Sequence, residues 1–84
     1  MENITTPTLQ SIAIATVTGE WLKNEMSTHN ISVFGIAQNL EIPQSTIYSI
    51  ISNNLPANSQ ARKVKLALYL HFKLLDYERR MMEE

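Results

Sequence analysis

Residues 31–54 constrain the fold more than any other stretch, because apolar residues recur there at the spacing of two short helices. The apolar positions are Ile36, Ala37, Leu40, Ile42, Ile47, Ile50 and Ile51. Ala37 is small at a point where two crossing helices must approach closely. Pro43 fits the first turn of the second helix, where a missing N–H costs no hydrogen bond. The segment therefore predicts two short helices joined by a tight turn.

The pattern resembles the helix-turn-helix of the lambda-repressor-like family, to which phage repressors and Cro proteins belong. The resemblance covers residues 31–54 well and residues 18–70 loosely. Two positions depart from the family: Glu41 stands where the turn usually has Gly, and Val33 stands where the first helix of the motif often begins with Gln. Glu41 must then adopt a left-handed conformation, at a cost of about 1 kcal/mol. The resemblance implies that the second helix, within residues 33–53, enters the major groove of DNA.

The resemblance assigns base reading to the first turn of that second helix. The positions concerned are Gln44, Ser45 and Thr46, with Ser49 one turn later as the next candidate. Their chemistry is suitable, since Gln can make a paired hydrogen bond to adenine, Ser and Thr can bond to more than one base, and the Thr methyl group can contact thymine. The alternative is that these residues only begin a helix on a polar surface.

Six further residues are candidates for phosphate contacts, which fix the register on DNA without reading bases. They are Tyr48, Asn53, Asn54, Arg62, Lys63 and Lys23. The net charge of −1 opposes nucleic-acid binding, because neutralising phosphates supplies much of the affinity. The charge is uneven, however: residues 1–56 carry four acids and one base, and residues 57–84 carry six bases and four acids. A basic patch beside the motif and a solvated helix face explain this distribution equally well.

Residues 57–84 contain no Gly or Pro, which predicts a long helix over residues 60–82 with Asn58 or Ser59 as its cap. A helix that is apolar on two faces must bury both, and this one has two apolar stripes. One consists of Val64, Leu68, Phe72 and Leu75, and the other of Leu66, Leu70, Leu74, Tyr77 and Met81. We expect the first stripe to pack on the helix-turn-helix and the second to meet the same helix of a second copy. The alternative is a monomer whose N-terminal segment covers the second stripe.

The N-terminal third of the chain is less regular. Residues 1–5 are expected to be frayed, and Thr6 to cap a helix whose first position is Pro7. Residues 8–18 fit either a helix or a strand, because β-branched residues are mixed there with helical spacing. The family resemblance favours a single helix of about 20 residues that runs on to Ser27.

A loop over residues 27–30 and a cap at Ser32 are expected to separate that helix from the motif. Together these elements predict an all-α chain. Residues 1–84 would form one domain, a compact bundle of four to five helices that contains a helix-turn-helix and ends in a long helix.

Several kinds of chemistry are not expected. The chain has no Cys, so it offers neither a thiolate ligand nor a disulfide. His29 and His71 lie far apart and without carboxylates at an obvious ligand spacing, so we expect no metal site and interpret His71 as a packed side chain. The two glycines cannot build a phosphate loop, and no arrangement of Ser, His and Asp suggests catalysis. We therefore expect no cofactor, no small-molecule ligand and no enzymatic activity.

The compartment expected from the sequence is the cytoplasm, since no apolar run could span a membrane and the start of the chain lacks the basic residues of a secretory signal. The leading hypothesis is a transcription regulator, a phage- or plasmid-type repressor, that binds an inverted repeat in double-stranded DNA as a homodimer. The alternative hypothesis keeps the helical fold without DNA binding. The chain would then be a protein-interaction module such as an antirepressor or an adaptor.

Overall fold

The computed structural model describes residues 8–83, which form five α-helices and no strand. The helices are α1 (Leu9–Thr16), α2 (Gly19–His29), α3 (Val33–Leu40), α4 (Gln44–Ile51) and α5 (Ser59–Met82). The prediction of an all-α bundle with a long C-terminal helix is confirmed. Within the same residues, no helix combines the length and apolar character needed to cross a bilayer. Residues 1–5, Thr6 and Pro7 lie outside the described part, in which the first helix follows Thr8.

Side chains cap four of the five described helices. Thr8, Thr18, Ser32 and Asn58 each accept a hydrogen bond from the backbone N–H three residues later. The prediction of Ser32 as a cap is therefore confirmed, and of the two candidates for α5 the cap is Asn58. Helix α4 begins without a side-chain cap, because Pro43 occupies that position. These caps fix where each helix starts and therefore how long each connection is.

Of residues 8–18, Leu9–Thr16 form a helix and none forms a strand, but the single long helix expected there is wrong. Helix α1 ends at Thr16, and the chain extends through Val17 and Thr18 before α2 begins. Three consecutive β-branched residues disfavour helix at this point. Val17 is buried in the core, and Thr18 caps α2 by accepting the N–H of Trp21. The break allows α1 to pack on α5 while α2 packs on α4.

The loop expected over residues 27–30 is mostly helical, and that prediction is also wrong. Helix α2 continues to His29, and Asn30 ends it with φ 56°, a left-handed conformation that Asn tolerates better than most residues. The N–H of Asn30 donates to the carbonyl groups of Met26 and Ser27. The last turn of α2 is therefore closed by the backbone itself.

A short turn of residues 41–43 joins α3 to α4. Glu41 adopts φ 56° and ψ 43°, the left-handed conformation expected for it. The N–H of Ile42 donates to the carbonyl of Ala37 at 3.0 Å, which closes the end of α3. The predicted pair of short helices with a tight turn is confirmed. The buried side chains of the pair are Val33, Ile36, Ala37, Ile47 and Ile50.

The first apolar stripe of α5 closes the core, as predicted. Leu68 and Phe72 are fully buried, and Val64 and Leu75 pack partly buried against the same cluster as the α3–α4 pair. The indole ring of Trp21 in α2 meets the ring of Phe72 edge-on, with 5.7 Å between the ring centres. Helix α5 therefore supports both α2 and the pair of short helices.

The second apolar stripe of α5 is mostly uncovered in the described part of the chain. Leu66 is half-buried and lies beside Gln10 and Ile14 of α1. The remaining members of the stripe, Leu70, Leu74, Tyr77 and Met81, are exposed. Among residues 8–83, the N-terminal segment thus covers only the beginning of the stripe.

Candidate nucleic-acid interface

Helix α4 buries one face and leaves a polar face in solvent. Ile47 and Ile50 are buried between α3, α2 and α5, which fixes how α4 is rotated about its axis. Gln44 and Ser45 are exposed at its first turn, and Tyr48 is exposed one turn later. The residue types that suit base contacts therefore stand on the open side of a helix with a fixed orientation.

The four candidate base-reading residues are not equally open. Gln44 and Ser45 are exposed, whereas Thr46 and Ser49 are half-buried. The hydroxyl of Ser49 donates to the carbonyl oxygen of Ser45 at 2.9 Å, so its proton is already in use. Gln44 and Ser45 consequently have the greatest freedom to meet a partner, and Ser49 can act mainly as an acceptor.

The N-terminus of α4 keeps backbone donors available. Helix hydrogen bonding starts with the N–H groups of Thr46 and Ile47, which both reach the carbonyl of Pro43. The N–H groups of Gln44 and Ser45 precede the first intrahelical bonds, and no side chain of the described residues caps them. Such donors, at the positive end of the helix dipole, favour an anion such as a phosphate.

A groove of about 350 Å³ runs beside the first turn of α4. Thr46 and Pro43 form one side, and Asn58 and Gln60, at the start of α5, form the other. Asn58 and Gln60 were not among the residues predicted from the sequence to contact DNA. Both are polar residues at the start of the helix that follows the motif. That pattern alone does not distinguish a DNA contact from a helix cap or a solvated side chain.

The candidate basic residues lie on α2 and α5 and not on α4. Arg62 and Lys63 are exposed, and they line hollows shared with Gln10 and Ile14 of α1. Neither lines the groove that holds Thr46. Lys23 is exposed on α2. The structure therefore does not gather all the predicted phosphate contacts around one groove.

Lys65 is a basic residue that was not predicted from the sequence to contact DNA. It lies with Ile50, Asn53 and Leu55 at the C-terminal end of α4. A cation is favourable there, because the carbonyl end of a helix is negative. The charge of residues 31–58 themselves comes from Glu41 alone, so α4 is uncharged, with Lys65 near its C-terminal end.

The two candidate Asn residues after α4 have internal partners. The side-chain oxygen of Asn53 accepts the backbone N–H of Gly19 at 3.2 Å and so ties the loop to the start of α2. The side-chain amide of Asn54 donates to the hydroxyl of Ser52 at 3.2 Å. Both residues are exposed, so hydrogen-bonding groups that these contacts do not use can still reach a phosphate.

A second polar cluster, which was not predicted from the sequence, joins α2 to α5. Glu25 and Asp76 both lie near the imidazole of His29, so the expectation that His29 has no carboxylate at a ligand spacing is wrong. The spacing of Glu25 and His29, one helical turn apart, was the only local signal. Asp76 lies 47 residues further along the chain than His29, so no local sequence pattern connects the two residues.

His71 is the packed histidine expected from the sequence. Its ring lies edge-on to Phe72 with 5.2 Å between the ring centres, and its Nε2 atom is buried without a hydrogen-bond partner among the described residues. Burial, and secondly the nearby His29, lower the pKa of His71 below the ordinary value of 6.5. The neutral imidazole is therefore the favoured form in the folded chain.

Compared with protein families, curated proteins and solved structures, the chain matched none.

Proposed function

We propose that this chain is a sequence-specific DNA-binding regulator that reads the major groove with the first turn of α4. The observation that carries the proposal is the exposure of Gln44 and Ser45 on a helix whose opposite face, Ile47 and Ile50, is fully buried. A short helix held rigidly by its neighbours, with polar side chains at its exposed N-terminus, is the arrangement that a major-groove reader needs.

The recognition chemistry would be neutral hydrogen bonding. The amide of Gln44 can donate to and accept from one adenine, and Ser45 and the methyl group of Thr46 can contact a neighbouring base. The free N–H groups at the start of α4 would bind a backbone phosphate and set the depth of the helix in the groove. Asn58 and Gln60, across the groove from Thr46, are additional candidates for the backbone.

The distribution of charge has a consequence for affinity. Residues 31–58 carry no positive charge, so few phosphates would be neutralised by the motif itself. Affinity would then depend on Lys23, Arg62, Lys63 and Lys65, which lie outside residues 31–58, and on two copies binding together. The logarithm of the binding constant should fall less steeply with the logarithm of salt concentration than it does for a strongly basic repressor.

Two copies would account for the uncovered stripe of α5. Burying Leu70, Leu74 and Tyr77 against the same residues of a second chain removes apolar surface from water and creates a two-fold axis. A two-fold dimer binds an inverted repeat, with half-sites separated by about one helical turn of DNA or a multiple of it. Such a regulator of a phage, plasmid or bacterium would act in the cytoplasm, as a repressor where its site overlaps a promoter.

Selection of bound sequences from a random DNA pool tests the proposal directly. We expect an enriched inverted repeat and a salt-sensitive complex. Gln44→Ala should weaken that complex by about 1–3 kcal/mol and relax the preference at one base position. Gln38→Ala, an equivalent change at an exposed residue of α3, is the matched control and should bind as the wild type does. Equal losses in the two variants would contradict base reading by Gln44.

A protein-interaction module that does not bind DNA is the second candidate. The neutral surface of α4 and the exposed stripe of α5 favour it, since neither needs a nucleic acid to explain it. If no sequence is enriched and no complex forms even with nonspecific DNA at low salt, this second function replaces the first.

A further inference from the structure

Three polar side chains from two helices converge on one point. Glu25 and His29 lie one turn apart on α2, and Asp76 comes from α5. The Nε2 atom of His29 is 2.8 Å from a carboxylate oxygen of Asp76 and 3.8 Å from Oε1 of Glu25. One donor atom from each residue lies within 4.8 Å of the other two. The cluster thus presents one imidazole nitrogen and two carboxylate oxygens to a shared space.

The cluster is unbalanced in charge and in hydrogen bonds. The side chain of His29 is only 9% exposed, and Oε1 of Glu25 is buried and has no hydrogen-bond partner among the described residues. A single imidazole N–H can donate a hydrogen bond to only one carboxylate, and Asp76 is closer to it than Glu25 is. The oxygen of Glu25 is left facing the same nitrogen without a partner. An unpaired buried carboxylate oxygen is costly, and a cation between the three groups would remove that cost.

We propose that Glu25, His29 and Asp76 bind a divalent transition-metal ion, of which Zn²⁺ fits best. Zinc takes imidazole nitrogen and carboxylate oxygen at about 2.0–2.2 Å, so neighbouring ligands in a tetrahedral shell lie about 3.3–3.6 Å apart. The 2.8 Å and 3.8 Å separations bracket that distance. Small side-chain rotations would place all three atoms on one ion. Two carboxylates and a neutral imidazole would balance its charge, with the imidazole proton on Nδ1.

The fourth position of the ion has a route to solvent. An open hollow of about 420 Å³, lined by Thr28, Leu75 and Glu78, reaches His29. Asp76 is itself only partly buried. Water can therefore complete a four-coordinate shell, and the ion can enter without unfolding of the helices. A bound ion would link α2 to α5 across 47 residues of chain and stabilise their packing. This inference does not rest on DNA binding.

The test uses the untagged full chain, stripped with a chelator and titrated with Zn²⁺ while its thermal unfolding is followed. We expect one ion per chain, a higher melting temperature, and a tetrahedral visible absorption spectrum when Co²⁺ replaces Zn²⁺. Glu25→Gln should weaken Zn²⁺ binding at least about tenfold, because loss of a group behind a ligand already weakens metal affinity about 10- to 100-fold. The matched control is Glu20→Gln, a change at an exposed carboxylate on α2 that should leave Zn²⁺ binding unchanged.

The Glu25→Gln variant also separates loss of a ligand from loss of fold. Oε1 of Glu25 has no hydrogen-bond partner, so the metal-free variant should melt at the wild-type temperature or above it. The proposal is overturned if the stripped wild type takes up neither Zn²⁺ nor Co²⁺. It is equally overturned if Glu25→Gln and Glu20→Gln both bind Zn²⁺ as the wild type does, since the ion would then lie elsewhere.

Discussion

At the scale of single residues, Glu41 carries the turn that orients α4. Three described residues other than Gly have positive φ, namely Asn30, Glu41 and Asn53. Asn tolerates this conformation, whereas the longer side chain of Glu41 offers no local compensation. The strain lies between the two helices of the candidate interface, where the backbone must reverse within residues 41–43.

Replacing Glu41 with Gly should therefore stabilise the fold. Relief of about 1 kcal/mol of left-handed strain, less about 0.5 kcal/mol for the extra entropy of Gly in the unfolded chain, leaves a gain of about 0.5 kcal/mol in the free energy of unfolding. Urea unfolding followed by circular dichroism measures it. Glu41→Ala removes the same charge but keeps a Cβ atom, so it should give no such gain. Equal gains in both variants would locate the effect in the charge and not in the backbone.

Because of His71, the free energy of unfolding should decrease as the pH falls. Its pKa is lowered in the folded chain, mainly by burial, so the unfolded chain takes up a proton first as the pH falls through about 6.5. The contribution of His71 is present above that pH and is lost below it. We expect the difference in unfolding free energy between wild type and His71→Gln to shrink from about pH 7.5 to pH 5. A difference that stays constant over this range would show that His71 is not the titrating group.

At the scale of elements, the close contact between α2 and α4 depends on Gly19. The start of α2 meets the end of α4, where a Cβ atom on Gly19 would lie well inside contact distance of the carbonyl oxygen of Ile51 and 2.9 Å from that of Ile50. These carbonyl groups belong to the backbone and cannot rotate away. The contact also sets the positive end of α2 against the negative end of α4, which is electrostatically favourable.

Gly19→Ala should accordingly force α2 away from α4. We expect a loss of about 2 kcal/mol in the free energy of unfolding, as for other overpacked contacts, together with weaker binding of DNA. Gly35→Ala is the matched control, because a Cβ atom there would meet only ordinary contacts at 3.5 Å and beyond. That variant should gain about 0.5–1 kcal/mol from better helix propensity. Similar losses in both variants would contradict the assignment of a close approach to Gly19.

At the scale of the whole molecule, the described residues leave a stripe of large apolar side chains on α5 exposed. Four large apolar side chains follow one another along the C-terminal half of α5, which is longer than any of the other four described helices. Exposed patches of this kind usually mark a contact between molecules. A symmetric dimer through α5 would cover them and would carry two copies of α4 at a fixed separation.

The proposed dimer should dissociate when a charge is placed in the apolar stripe of α5. Leu74→Asp should convert a dimer at micromolar concentration into a monomer, because it buries a charge in the middle of the stripe. Size-exclusion chromatography with light scattering measures the mass. Phe34→Asp, a change at a side chain on α3 that is 59% exposed against 64% for Leu74, is the control and should remain dimeric. A wild-type chain that is monomeric under these conditions would rule the dimer out.

The sequence alone determined where most of the helices lie. Capping residues, the position of Pro43, the absence of Gly and Pro after residue 57, and the spacing of Leu68 and Phe72 are local signals, and each acts within a few residues of itself. The exposed first turn of α4 followed from the same spacing, because burying Ile47 and Ile50 leaves Gln44 and Ser45 outward.

The tertiary structure decided which elements meet. The burial of Val17, the close approach of Gly19 to the end of α4, and the cluster of His29 with Asp76 depend on groups brought together from distant parts of the chain. Local propensity leaves such positions undecided between helix and loop, or between a solvated and a buried side chain. Packing selects one of the two alternatives at each position, because each contact is made only when the partner helix is already in place.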